Sequence, residues 1–213
     1  MKGNIVASLD LTDEKKLISM ADQIGSSVFA LKINWPTILS CGKSIIGKLA
    51  KYSNVICDLK IADIPNTNRL IIEQISRENP WAVIGHLFTG TDSMKALLDN
   101  AGGVKVIGVA SMSNPGSNVY LNPNFGKLVE DAKALGCYGI VAPGNNYELL
   151  GSVSKIKGNL KIFSPGVGAQ GGGYKQAIKA GSDYVIIGRS IYENPDPLKY
   201  IRELESGNEN HIR

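Results

Sequence analysis

The sequence predicts an α/β chain that closes into a single (β/α)8 barrel over residues 1–213. Three observations carry this. Eight short β-rich runs alternate with longer amphipathic runs, which implies a parallel sheet. Eight such units suffice to close a barrel. The charged residues that interrupt the apolar runs fall at the runs' C-terminal ends, where such barrels carry their chemistry.

The first strand is expected at Asn4–Asp10. Its apolar stretch is too short for a signal peptide and is closed by a charge. Asp13–Ile24 follows as a helix, with Leu17, Ile18, Ala21 and Ile24 at helical spacing. Val28–Asn34 and Asn54–Lys60 read as strands two and three. Thr67–Arg77 reads as a helix through Leu70, Ile71 and Ile75. Ala82–Phe88 and Val104–Ser111 are strands four and five. Asn124–Leu135 is a helix through Leu128, Val129 and Leu135. Tyr138–Ala142, Leu160–Ser164 and Asp183–Gly188 complete the eight strands. A doubly wound open sheet is the competing architecture. With 213 residues the chain lies near the short end for a barrel, so its loops must be short. No linker or low-complexity segment is visible. The polar tail from Glu205 to Arg213 is expected to fray.

Hydrophobic content of 43% and charged content of 20% fit a soluble globular protein. The net charge of +4 is a mild excess, not the dense basic clustering of a nucleic-acid binder. Cys41, Cys57 and Cys137 are widely spaced and form no Cys-x-x-Cys pair, so free thiols are the simplest reading. His86 and His211 are the only histidines, which leaves few ligands for a histidine-based metal site. No stretch approaches a membrane span. The protein is therefore expected to be cytoplasmic, with no membrane or nucleic-acid partner.

The polar residues of the strand ends form two constellations. Asp10 ends strand one, Lys32 lies near the end of strand two, and Asp58 and Lys60 end strand three. Asp58 and Lys60 are two apart and share a face of the strand. Asp63 follows in the next loop. For Asp58 and Lys60 alone, a structural ion pair is the simpler reading. Adding Asp10, Lys32 and Asp63 makes an alternating network at one barrel mouth, a poor way to stabilise a fold. Ser111 and Ser113 follow strand five.

The second constellation is Ser164-Pro165-Gly166-Val167-Gly168-Ala169-Gln170-Gly171-Gly172-Gly173-Tyr174. Gly166, Gly168 and Gly171 match Gly-x-Gly-x-x-Gly literally, but a dinucleotide site needs an acidic residue after the next strand. Here that strand ends Ile186-Ile187-Gly188-Arg189, which is basic. The loops after strands seven and eight form the usual phosphate site of such barrels. Backbone N–H groups and Arg189 are expected to face the anion, with the glycines suited to a mobile lid. His86 is expected to be a hydrogen-bonded core residue. Cys57 should pack against helices, and Trp35 and Trp81 should be core or interface residues.

The run Asp58-Leu59-Lys60-Ile61-Ala62-Asp63-Ile64-Pro65-Asn66-Thr67 resembles the signature of the orotidine 5'-monophosphate decarboxylase family. The Asp-x-Lys-x-x-Asp core is shared by a wider group of barrels, but the Ile-Pro-Asn-Thr continuation is more specific. Asp10, Lys32, Met112-Ser113-Asn114-Pro115-Gly116, Gly168-Ala169-Gln170-Gly171 and Gly188-Arg189 agree in order over nearly the whole chain. The likeness is greatest to the short archaeal-type members. It implies decarboxylation of orotidine 5'-monophosphate to uridine 5'-monophosphate, the last step of de novo UMP biosynthesis, without metal or cofactor. It also implies roles. Lys60 is the proton donor, and Asp10, Lys32, Asp58 and Lys60 form a charged array completed by Asp63 of a second subunit. Ile64 and Thr67 reach across that homodimer interface. Ser113 and Gln170 contact the pyrimidine, Gln170 also the phosphate, and Gly188 and Arg189 hold the phosphate. The residues from Ser164 to Tyr174 form the lid around the ligand. Asn114 receives no role.

Two rival readings stand beside this one. A metal-dependent sugar-phosphate lyase, such as 3-keto-L-gulonate 6-phosphate decarboxylase or hexulose-phosphate synthase, shares the core motif. It carries an acidic residue near the end of strand two, where this chain has Lys32, whose charge would repel a metal ion. A non-catalytic sensor of a phosphorylated ligand is the other, and it predicts nucleotide binding without turnover.

Overall fold

The computed structural model describes residues 3–168 and 170–206. Eight strands run parallel in chain order: β1 (Ile5–Ser8), β2 (Ala30–Asn34), β3 (Asn54–Ile61), β4 (Ala82–His86), β5 (Lys105–Val109), β6 (Gly139–Val141), β7 (Lys161–Ser164) and β8 (Tyr184–Ile187). Ile5 pairs with Val185, so β8 returns to β1 and the barrel closes. That closure excludes the open doubly wound sheet.

The strands are mostly shorter at their C-terminal ends than the apolar runs suggested. Leu9 and Asp10 lie beyond β1, although Leu9 N–H still donates to Lys32 C=O at 2.8 Å. Leu87 and Phe88 lie in a 3-10 turn, and Ser111 lies beyond β5. The chain leaves the ladder there and turns into the loops that build the mouth.

Helices cover the outside. Glu14–Ile24 is capped by Asp13, whose carboxylate accepts from Lys16 N–H at 2.9 Å, and it buries Leu17, Ala21 and Ile24. Pro65–Ser76 begins with proline in its first turn, where the missing N–H costs nothing. Its buried face is the expected one only in part: Ile75 is buried and Ile71 packs against the core, but Leu70 does not. Asn68, Ile72 and Ile75 face the barrel, while Leu70 is 48% exposed. Asn68 rotates the face inward because its amide accepts from Asp63 N–H and donates to Ser93 C=O. Phe125–Leu135 buries Leu128, Val129 and Ala132, and ends at Gly136 in the left-handed region, φ 75°. Glu205 and Ser206, expected to fray, close the helix Pro197–Ser206. Residues 207–213, including His211, lie outside the described residues.

Strand alternation divides the apolar core into two layers. Leu31, Ile33, Val55 and Cys57 point outward and pack with Leu17, Leu49 and Ile72 from the helices. Cys57 thus packs as expected. Val6, Ala30, Ile56, Ile84, Val109, Phe163 and Ile186 point inward and fill the barrel. At the N-terminal end Phe29, Trp81, Tyr138 and Tyr184 close the floor against these residues. Phe163 stacks on Tyr184 at 4.8 Å, and Tyr184 on Phe29 at 4.1 Å. Further up, the inward positions become polar: Ser8 on β1, Lys32 on β2, Asp58 on β3 and His86 on β4.

Candidate active site

A cavity of about 360 Å3 opens at the C-terminal mouth, within the size range of small-ligand sites. Asp10, Lys32, Asp58 and Lys60 line it, as do Gln170, Gly188 and Arg189. Ser113 lines it from the loop after β5, and Pro165, Gly166 and Val167 from the loop after β7. Apolar inward residues, Ile84, Val141 and Ile186, form its bottom.

Asp58 is the hub of the charged side. Lys60 Nζ stands 2.8 Å from its Oδ1 and 2.9 Å from its Oδ2, and Lys32 Nζ stands 3.0 Å from Oδ2. The Asp58 and Lys32 side chains are only 10% and 8% exposed, whereas Lys60 is 40% exposed toward the cavity. Burial by itself would raise the Asp58 pKa. The Lys32 and Lys60 charges and their hydrogen bonds outweigh it, so its carboxyl sits below the ordinary carboxylate value. Asp58 is therefore a fixed anion between two ammonium groups, one buried and one facing the ligand space.

A break in the ladder delivers Lys60. β3 keeps register with β2 up to the pair Asn34–Asp58. Against β4 the register shifts: Cys57 pairs with Val83, but Ile61 pairs with Gly85. Four residues therefore advance on β3 against two on β4. Within this bulge Lys60 takes φ 45°, a left-handed conformation that costs a side-chain-bearing residue about 1 kcal/mol or more. The Leu59 carbonyl beside it accepts from the Trp35 indole N–H at 2.8 Å. Trp35, 41% exposed, is thus no core residue but a brace on the strained segment.

Asp10 sits at the rim. Its Oδ1 accepts from Ser8 Oγ at 3.0 Å and from Asn34 Nδ2 at 2.9 Å. His86 departs from expectation. Its ring is buried against Phe88 with centroids 4.7 Å apart, but Nδ1 has no hydrogen-bond partner among the described residues. Burial, aided by the Lys60 charge, pushes its pKa down to about 4. It is neutral at physiological pH.

Several expected site residues stand elsewhere. Asp63 does not reach the array of its own chain; its Oδ1 accepts from Ile64 N–H at 2.7 Å at the exposed start of the next helix. Ile64 is 65% exposed, and neither it nor Thr67 lines the cavity. Ser164 is fully buried and accepts from Ser182 Oγ at 2.7 Å, turned away from the ligand space. Gly168, Gly171, Gly172, Gly173 and Tyr174 do not line the cavity either. The glycine N–H groups expected to face an anion are engaged elsewhere. Gly168 donates to Gly172 C=O, Gly171 to Gly168 C=O, Gly172 to Gly166 C=O and Gly173 to the Tyr147 hydroxyl. The loop is folded on itself, with Gly166, Gly168 and Gly171 in positive-φ turns. Ala169 lies outside the described residues.

Besides the apolar bottom, four lining residues escaped sequence reasoning or received no role. Ser8 lies two positions before Asp10 and shares its inward face, so alternation could have found it. Tyr192 lies one turn beyond Arg189 in the short helix Arg189–Tyr192, which carries too few residues for a periodic signal. Met112 and Asn114 flank Ser113 in an irregular loop.

The sequence and the fold have known counterparts. A family model described as Orotidine 5'-phosphate decarboxylase / HUMPS matches residues 3–204. Orotidine 5'-phosphate decarboxylase of Thermoplasma acidophilum is 46% identical over 199 residues, 92% of this chain and 91% of the relative. The crystal structure of orotidine 5'-monophosphate decarboxylase from Methanocaldococcus jannaschii, complexed with the inhibitor BMP, superposes with a TM-score of 0.91. It is 35% identical and covers 97% of this chain and 98% of its own. The enzyme from Pyrococcus horikoshii superposes with a TM-score of 0.88 at 38% identity, covering 94% of this chain and 96% of its own. The chain belongs to the orotidine 5'-phosphate decarboxylase / HUMPS family.

Proposed function

We propose that this protein decarboxylates orotidine 5'-monophosphate to uridine 5'-monophosphate in the cytoplasm, with Lys60 as the proton donor and without metal or cofactor. One observation carries the reading. Asp58 is clamped between Lys32 and Lys60 in a cavity that Arg189 also lines.

The chemistry follows from those groups. The bond between the ring carbon and the carboxylate breaks, CO2 leaves, and the electron pair stays on the ring carbon. The ring offers no obvious sink for that pair. A fixed ammonium beside the carbon stabilises the developing charge and then delivers a proton to it. Asp58 holds the Lys60 ammonium in place, so little reorganisation is needed as charge appears. Ser113 and Gln170 face the base, and Gln170, Gly188 and Arg189 take the phosphate. Binding energy from the phosphate, remote from the reacting carbon, is available to order the loop Ser164–Tyr174 over the ligand. The metal-dependent sugar-phosphate reading loses ground at β2, where the buried Lys32 ammonium meets Asp58 at 3.0 Å. A cation in contact with that carboxylate opposes a second one.

The working unit in this reading is a homodimer, with Asp63, Ile64 and Thr67 completing the partner's site. Support comes from the exposed start of the helix Pro65–Ser76 and from the apolar surface near the mouth, where Ile64 is 65% and Phe88 58% exposed. Mixing Lys60→Ala chains with Asp63→Ala chains tests this, because only a mixed dimer with sites shared across the interface regains an intact site. Absence of recovery in verified mixed dimers contradicts sharing. The reaction itself is tested by following ultraviolet loss of orotidine 5'-monophosphate with and without a metal chelator. Loss that ignores the chelator is expected. No loss with folded protein, or loss that the chelator abolishes, contradicts the proposal.

A further inference from the structure

Asn34 stands where β2 passes into the helix Trp35–Cys41 and is bonded at both ends of its amide. Oδ1 accepts from Thr37 N–H at 3.2 Å and from the Thr37 hydroxyl at 3.2 Å, capping the helix. Nδ2 donates to Asp10 Oδ1 at 2.9 Å. These bonds fix the sense of the amide. Turned over, it would set its NH2 against Thr37 N–H and its carbonyl oxygen against a carboxylate.

Ser8 Oγ donates to the same Asp10 oxygen at 3.0 Å. Asp10 lines the cavity at its exposed rim, and its other oxygen, Oδ2, accepts no hydrogen bond among the described residues. Two donors from neighbouring strands thus act on one oxygen and leave the second open. A short exposed carboxylate otherwise samples several rotamers, and ordering it on ligand binding costs entropy.

We infer that Asn34 is a positioning residue that holds the Asp10 carboxylate so that Oδ2 is presented to the cavity as acceptor for a hydroxyl group of the ligand. The inference rests on the nucleotide reading, in which the sugar supplies that hydroxyl. Helix capping alone does not call for asparagine, since serine and aspartate cap about as well. Neither can replace the donor to Asp10. A serine hydroxyl at the cap is occupied and short, and an aspartate opposes the Asp10 charge.

Asn34→Ser and Asn34→Asp separate the two roles, because both keep the cap and lose the donor. The full-length protein is assayed for turnover of orotidine 5'-monophosphate, for uridine 5'-monophosphate affinity by titration, and for thermal midpoint. With the midpoint retained, KM and the product Kd are expected to rise about tenfold in Asn34→Ser, and further in Asn34→Asp, with kcat changed less. In an Asp10→Ala background, Asn34→Ser is expected to add nothing further to either constant. Wild-type constants in both single variants overturn the inference. The same tenfold increment on top of Asp10→Ala overturns it too, since that marks a structural effect independent of Asp10. A wild-type protein that neither turns over the substrate nor binds the product defeats the functional reading, and the inference with it.

Discussion

The two ends of one barrel are built on opposite principles. At the N-terminal floor, rings pack together: Phe29, Trp81, Tyr138, Phe163 and Tyr184 meet edge-on, tilted or stacked, with centroids between 4.1 and 6.4 Å. The Lys105 ammonium lies over the Trp81 ring at 5.0 Å and the Tyr138 ring at 5.6 Å. At the C-terminal mouth, the barrel carries Lys32, Asp58 and Lys60, a register break, a left-handed lysine and a histidine nitrogen without a partner among the described residues. The rings of the floor favour burial, and the charged groups of the mouth oppose it. Stability and chemistry are thus assigned to opposite ends of shared strands, which lets the mouth hold costly groups on a rigid support.

Asp58→Asn attacks that division most strongly. It leaves the Lys32 and Lys60 ammonium groups facing each other without their shared anion. Turnover is expected to fall roughly 10^4-fold, from loss of both proton-donor placement and electrostatic order. Steady-state kinetics at saturating substrate check this, and a loss below tenfold would show that Asp58 is no hub. At the floor, Phe163→Ala is expected to lower stability by about 3–5 kcal/mol. The remaining folded fraction should keep the wild-type kcat, as measured by denaturant unfolding alongside active-site-normalised kinetics. A kcat that collapses in folded Phe163→Ala protein would show that the ends are coupled.

The floor and the core were readable because they follow periodicity. Ile5, Val6 and Ala7 alternate between the two apolar layers, and Leu17, Ala21 and Ile24 fall on one helical face. The charged side of the mouth was readable for the opposite reason: Asp10, Lys32, Asp58 and Lys60 interrupt that periodicity. What stayed hidden depends on backbone geometry that has no sequence period. The bulge at Leu59–Lys60 and the Trp35 brace arise from register between strands distant in sequence. The N–H groups of Gly168, Gly171 and Gly172 in the loop after β7 turn inward on the loop itself, although composition suited an anion cradle. Asn68 displaces Leu70 from the buried face because a buried amide found two partners.

His86, whose Nδ1 has no hydrogen-bond partner among the described residues, sharpens the comparison through pH. Its folded pKa of about 4 lies below the ordinary histidine value, so between those values the unfolded state binds more protons. Stability is therefore complete above the unfolded pKa and is lost as pH falls from about 6.5 toward 4. The loss should approach about 3 kcal/mol. Asp58, whose pKa is lowered, adds its own loss only at lower pH, as pH falls from the ordinary carboxylate range through its folded value. Denaturant unfolding at several pH values should show the first slope in the wild type and a flatter one in His86→Leu. Equal slopes would remove His86 as its source. The smallest effect concerns strain. Lys60→Gly is expected to be about 1 kcal/mol more stable than Lys60→Ala, since glycine takes φ 45° freely. Equal melting of the two variants would mean that the bulge relaxes without its lysine.

The most direct measurement compares Lys60→Ala with the wild type in two assays on one preparation: single-turnover conversion of orotidine 5'-monophosphate and titration with uridine 5'-monophosphate. The expected result is abolished conversion with retained product binding, which places Lys60 in the chemical step rather than in the fold or the binding site. Near-normal conversion by verified Lys60→Ala protein would contradict its assignment as proton donor and the mechanism built on it.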